Sequence, residues 1–185
     1  LSFSKQINSV CKSCHYHLRR IRHLLSPSIA ITLANSLVSS KLDYCNSLYF
    51  GISTKNLSKH QRIQNSLARA ITFTSKHQHI SPVLKDLHWL PVKERIDFKI
   101  CLLTYKSLKN HQPVYLHETL SIPSHSIFTR SSQSRALSKH VTHTNAGSRA
   151  FSVATPKLWN LLPPSIRKGY CPINSNFQIP TQNPP

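Results

Sequence analysis

The chain has 185 residues, 39% of them apolar, which is enough for one ordinary core, and three glycines against twelve prolines argue against a turn-rich all-β fold. Its 24 lysines and arginines against five acids give a formal charge of +19, a balance typical of proteins that meet a polyanion and one that works against their own compaction. No run of about 18 apolar residues exists to span a membrane and no signal-like h-region opens the chain, so a nuclear or cytoplasmic, non-secreted setting is expected, with the five cysteines as free thiols.

The first predicted helix starts at Ile7. Val10, Cys11, Cys14, Leu18, Ile21 and Leu25 keep one apolar face, and Lys12, Arg19, Arg20 and Arg22 lie opposite. Ser26-Pro27 then reads as a cap and first helical residue, with Ile29, Ala30, Leu33, Leu37 and Val38 as the stripe of a second helix forming a hairpin with the first. The segment from Leu42 to Leu48 continues as a helical turn or an extended corner towards Gly51, a natural C-cap. Asp43 has no carboxylate nearby in sequence to share a metal, so its expected role is structural, beside an arginine or a helix N-terminus.

A third helix is predicted over Leu57–Phe73. Ile63, Leu67, Ala70 and Ile71 point inwards, Lys59, Arg62 and Arg69 outwards, and Gln61, Gln64 and Asn65 offer amides to sugars or bases, or simply to water. After a polar connection, Ser81 as cap and Pro82 as first residue predict a short helix over Val83–His88. Trp89 and Leu90 fill the corner, and Pro91 restarts a helix whose stripe is Val92, Ile96, Ile100 and Leu103, widened by Phe98, Leu102 and Tyr105 until it needs helices all round. Pro113 opens a further short helix with Val114, Tyr115, Leu116 and Leu120.

From 121 to 148 serine, threonine, histidine and arginine predominate, which predicts a flexible basic arm carrying Arg130, Arg135, Lys139 and His140. Helical character returns from Arg149 to Leu162, docking through Phe151 and Trp159 and closing at Pro163-Pro164, and the end of the chain reads as a disordered tail. The expected fold is therefore all-α, an irregular multi-helix bundle: a helical domain over 1–120, a linker over 121–148, a docking segment over 149–167 and a tail over 168–185.

Motifs for chemistry are sparse. Cys11-Lys-Ser-Cys14-His15 has the spacing of c-type haem attachment, but a zinc reading lacks a second ligand pair and both cysteines fall on the buried stripe, so neither metal nor haem is expected. Three scattered glycines make no phosphate loop, and five acids supply no clustered carboxylates and few orienting groups for a triad. No catalytic residue and no cofactor are assigned.

Four strings carry a resemblance: Lys41-Leu-Asp-Tyr-Cys-Asn-Ser-Leu; Gln61-Arg-Ile-Gln-Asn; His79-Ile-Ser-Pro-Val-Leu through Asp86-Leu-His-Trp-Leu-Pro-Val to Arg95-Ile-Asp-Phe-Lys-Ile; and Arg149-Ala-Phe-Ser-Val-Ala-Thr-Pro-Lys-Leu-Trp-Asn. In this order they resemble the region that follows the polymerase domain in non-LTR, LINE-type (Jockey-like) retrotransposon reverse transcriptases, over about Ser9 to Arg167. The resemblance implies a thumb and post-thumb fragment without the palm and its Asp-Asp metal site, with Asp43, Tyr44, Trp89, Pro91, Phe151 and Trp159 as structural motif residues. The absence of any methionine agrees with a chain that begins inside a longer reading frame. The expected partners are RNA or DNA, bound without sequence preference through Arg19, Arg20, Arg22, Lys59, Arg62 and Arg69, and the palm of the parent polymerase. The alternatives are a relic reading frame with no selected function and a free-standing basic interaction module.

Overall fold

The apolar spacing of three and four that runs through the sequence is answered by helices throughout. The computed structural model describes residues 3–21, 29, 32, 36, 39–121 and 136–168, with backbone alone at 18–21 and 168. Among them all regular structure is helical and no strand occurs, so the fold is all-α. The expected basic segment at 130–135 and the expected tail beyond 168 lie outside the described residues, as does nearly all of the second predicted helix. Ile29, placed on the buried stripe of that helix, is exposed. By its contacts the chain divides into two units, Leu1–Ile100 with His143–Arg149 and Cys101–Thr142 with Ala150–Pro185. Composition changes at 121, but packing partners change inside a helix, twenty residues earlier.

The first unit contains α1 (Ser4–Ile21), α2 (Ser40–Asp43), a 3-10 turn (Asn46–Tyr49), α3 (Thr54–Thr72), α4 (Ile80–Asp86) and the start of α5 (Val92–Asn110). Its core is Cys14, Leu42, Ile63, Leu67 and Ile71, with Val10, Cys11, Ala70, Leu87 and Trp89 packed against it. Between α2 and the turn the chain is both helical and extended: Tyr44 is extended and Cys45 left-handed. Gly51, just past the turn, has φ +66, a conformation that favours glycine, and a Cβ there would meet the Arg149 side chain at 3.0 Å.

Two helix starts differ from expectation. α4 begins at Ile80, capped by His79, so Ser81 and Pro82 lie inside its first turn. The first helical N–H groups have no intrahelical acceptor, so proline costs little at any of these positions and marks the turn better than the exact residue. α4 ends with the Trp89 N–H donated to Leu84 C=O at 2.8 Å and the His88 N–H to Lys85 C=O at 2.9 Å, a Schellman pair with His88 rather than glycine in the left-handed position. Likewise Pro163-Pro164 does not close the helical region; Pro164 is the first residue of α8 (Pro164–Lys168).

The buried line of α5 is Val92, Ile96, Ile100, Thr104 and Leu108, each four residues after the last, together with Ser107. Phe98, expected to widen the stripe, is exposed at 57%. In the second unit α5 continues into α6 (Val114–Glu118), α7 (Phe151–Trp159) and α8. Trp159 packs with Leu108, Leu120 and Leu137, and Phe151 borders that cluster. Asn160 holds Leu137 by accepting its N–H and donating to its C=O, both at 2.9 Å. Part of the expected flexible arm is thus a packed strap.

His60 lies fully buried on α3, its ring edge-on to Tyr49 at 5.1 Å, and neither ring nitrogen has a hydrogen-bond partner among the described residues. Burial holds its pKa below the ordinary value of about 6.5. An unfolded chain therefore takes up this proton near pH 6.5 while the folded chain resists it until lower pH, so the contribution is flat above about pH 7 and is lost as pH falls through 6.5. The urea midpoint is expected to fall between pH 8 and pH 5 more steeply in wild type than in His60→Phe, which keeps the ring contact and removes the buried nitrogens. Equal slopes would show that the other histidines set the acid dependence.

Candidate nucleic-acid interface

α1 and α3 contain no acidic residue in 18 and 19 positions respectively. They lie side by side and run parallel, since Asn56 Nδ2 donates to Ser4 Oγ at 3.2 Å and, one turn on, Lys59 Nζ donates to Asn8 Oδ1 at 2.7 Å. The Asn8–Lys59 bond marks one flank of the pair. At about 100° per residue, positions 5 and 12 fall within about 60° of Asn8, and positions 55 and 62 within about 60° of Lys59. Lys5, Lys12, Lys55 and Arg62 are all exposed, so this flank is a continuous cationic surface with Lys59 tied along its midline.

This changes the membership of the expected surface. Lys59 is not a free outward cation but a tie between helices. Arg69 is half-buried and donates from Nη2 to Gln78 C=O at 3.1 Å, holding the connection after α3. Arg62 is exposed as expected. Arg19 and Arg20 belong to α1 but their side chains, like all of Arg22, lie outside the described residues. Lys5 and Lys55 escaped the sequence reading, although a seven-residue step, Lys5 to Lys12 and Lys55 to Arg62, carries the signal: seven residues are close to two turns.

The amides expected to touch bases are used internally. Gln64 is fully buried and donates to Leu90 C=O at 2.8 Å, and Gln61 Oε1 accepts the Val92 N–H at 2.9 Å. Gln61 Nε2 in turn donates to Gln64 Oε1 at 2.9 Å and to Asn65 Oδ1 at 2.8 Å. α3 therefore caps the start of α5, meeting one of the N–H groups that a helix cannot satisfy itself. Pro91, just before it, accepts the Arg95 N–H at 2.9 Å, and Trp89 lies half-buried against the core.

Asp43 takes the structural place expected of it, bonded to Arg95 Nη2 and accepting from Asn46 Nδ2 at 3.3 Å. With Asp43 42% exposed, solvent screening limits the pair to about 1 kcal/mol or less. Tyr44 departs from the structural role implied for it: it is 73% exposed. The Cys-x-x-Cys pair belongs to the core. Burial pushes the Cys14 thiol up to about 11 and raises that of Cys11, partly offset by Lys59, so both sulfurs stay protonated near neutral pH.

Gln61→Ala would leave the Val92 N–H without its acceptor and free two amides, an expected loss of about 1–3 kcal/mol in urea unfolding. Because these amides face inwards, nucleic-acid affinity measured well below the unfolding transition is expected to stay within twofold of wild type. A large affinity loss in a fully folded variant would return Gln61 to the ligand.

No protein-family model matches the chain, and no curated protein and no solved structure is significantly similar to it.

Proposed function

We propose that this chain is the thumb and post-thumb part of a LINE-type reverse transcriptase, and that it holds RNA or DNA by charge on the flank formed by α1 and α3 while doing no chemistry itself. The observation that carries the binding role is that flank: four exposed cations on two parallel helices that contain no carboxylate. Lysine and arginine at such spacing meet phosphates, and phosphate contacts position a strand without reading its sequence. Neutralisation by a polyanion would also relieve the repulsion that the flank imposes on the fold.

The family reading is supported by how its strings partner one another. Asp43 of the first bonds Arg95 of the third, and Gln61 and Gln64 of the second bond Leu90 and Val92 of the third. Residues that act as mutual partners have a reason to recur together. Two of the five carboxylates are paired in the same way, Asp43 with Arg95 and Asp97 with Lys93 at 3.0 Å, and among the described residues no three metal-ligating side chains cluster.

Engagement of about four phosphates predicts a log–log salt slope of roughly −3 to −4 on duplex DNA, shallower on single strands. Measured between about 50 and 200 mM salt, Lys55→Gln combined with Arg62→Gln is expected to flatten the slope by about two units, equally for unrelated sequences. A wild-type affinity indifferent to salt, or a double variant with an unchanged slope, would remove the flank from binding. Template-directed nucleotide incorporation by the purified chain would overturn the non-catalytic reading.

A further inference from the structure

α1 carries a second polar face, which adjoins the basic flank. Gln6, Ser9 and Ser13 follow one another at three and four residues, and together with Ser40, Lys41 and Tyr44 at α2 they border a groove of about 470 Å³. That volume lies within the roughly 300–1,000 Å³ of small-ligand sites. Its lining is three serine hydroxyls, an amide, one ammonium, one phenol and the apolar side chain of Val10, with no carboxylate. The acid nearest in sequence, Asp43, is held by Arg95, so Lys41 keeps its charge uncompensated by it.

A lone exposed tyrosine is commonplace. Tyr44 is distinguished by its setting: α2 stops at Asp43, Tyr44 is extended with ψ 116°, and Cys45 turns left-handed with φ 52°, so the backbone leaves the helix at the residue whose ring borders the groove. Tyr44 is 73% exposed and lines the groove together with Lys41, the only cation of the lining. An aromatic face next to a cation and several hydroxyls is the arrangement that holds an unpaired nucleotide, with the base stacked and the phosphate on the cation.

We propose that this groove takes one nucleotide of a single strand, its base on Tyr44 and its phosphate on Lys41 and the hydroxyls of Ser9 and Ser13, the Ser40 hydroxyl being donated to the Ser36 carbonyl. The proposal rests on the nucleic-acid reading above and adds to it a preference for unpaired over duplex nucleic acid. Bases in a duplex are already stacked and cannot reach Tyr44. The preference is tolerant of sequence, since every base has a face to stack.

The test is anisotropy titration of the full chain with a labelled single-stranded oligonucleotide and with a duplex of the same length, at fixed salt. Tyr44→Ala is expected to weaken single-strand binding about five- to a hundredfold, the range that loss of one stacked base gives, and to leave duplex binding within twofold. Tyr44→Phe keeps the face and should bind as wild type. Lys41→Gln should flatten the single-strand salt slope by about one unit, a change that Tyr44→Ala does not produce. Single-strand affinity unaffected by Tyr44→Ala, or equal losses on both ligands, would overturn the groove while the salt-dependent flank stands. Binding of neither ligand by wild type would overturn the nucleic-acid reading and the groove together.

Discussion

The corner at Leu90–Val92 is the point on which the first unit depends. Here a 19-residue helix begins with an N–H group that no residue of its own helix can accept, and the acceptor comes from the side chain of Gln61, thirty-one positions earlier. Gln64 grips the carbonyl two residues before that N–H. One helix thus fixes both the place and the direction in which another starts, by hydrogen bonds with strict geometry rather than by apolar contact, which tolerates sliding. The Asp43–Arg95 pair adds a weaker bond one turn into α5. Because it is partly solvated it contributes orientation more than stability.

Charge imposes the second constraint. A chain with formal charge +19 must keep its cations apart or give them partners, and the structure does both. Lys59 finds an amide oxygen, Arg69 a carbonyl, Arg95 and Lys93 carboxylates. On the α1–α3 flank Lys5, Lys12, Lys55 and Arg62 are all exposed and have no ion pair among the described residues. A seven-residue step on two neighbouring helices, facing the same way, concentrates the potential on one side.

Much of the helical skeleton was legible. Apolar spacing placed α1, α3 and α5, and Pro91 and Pro113 each stand just before a helix start. Asp43 was legible too, because an acid without an acidic neighbour in a basic chain will find an arginine. What escaped was polar. His60, Gln64 and Thr104 are fully buried, each on the same helical line as apolar residues; Gln64 was expected to offer its amide outwards, and the other two went unremarked. Phe98 failed in the opposite sense: its size suggested burial, but it lies off the line that α5 turns inwards. Position round the helix decided burial in every one of these cases, and residue type only where the two agreed.

The same rule separates the two surfaces of α1. Ile7 and Cys14 turn inwards, Lys5 and Lys12 fall on the basic flank, and Gln6, Ser9 and Ser13 form the polar side towards α2. Under the proposed function two of these faces would divide the work of recognition: long-range attraction would belong to the flank, where several separated charges act on any phosphate chain and salt screens them. Short-range discrimination would belong to the groove with one charge and one ring, where stacking is insensitive to salt. A helix that served only as a scaffold would need the first face alone. The absence of any acid from all 18 positions makes the other two compatible with a single polyanionic strand passing from one to the other.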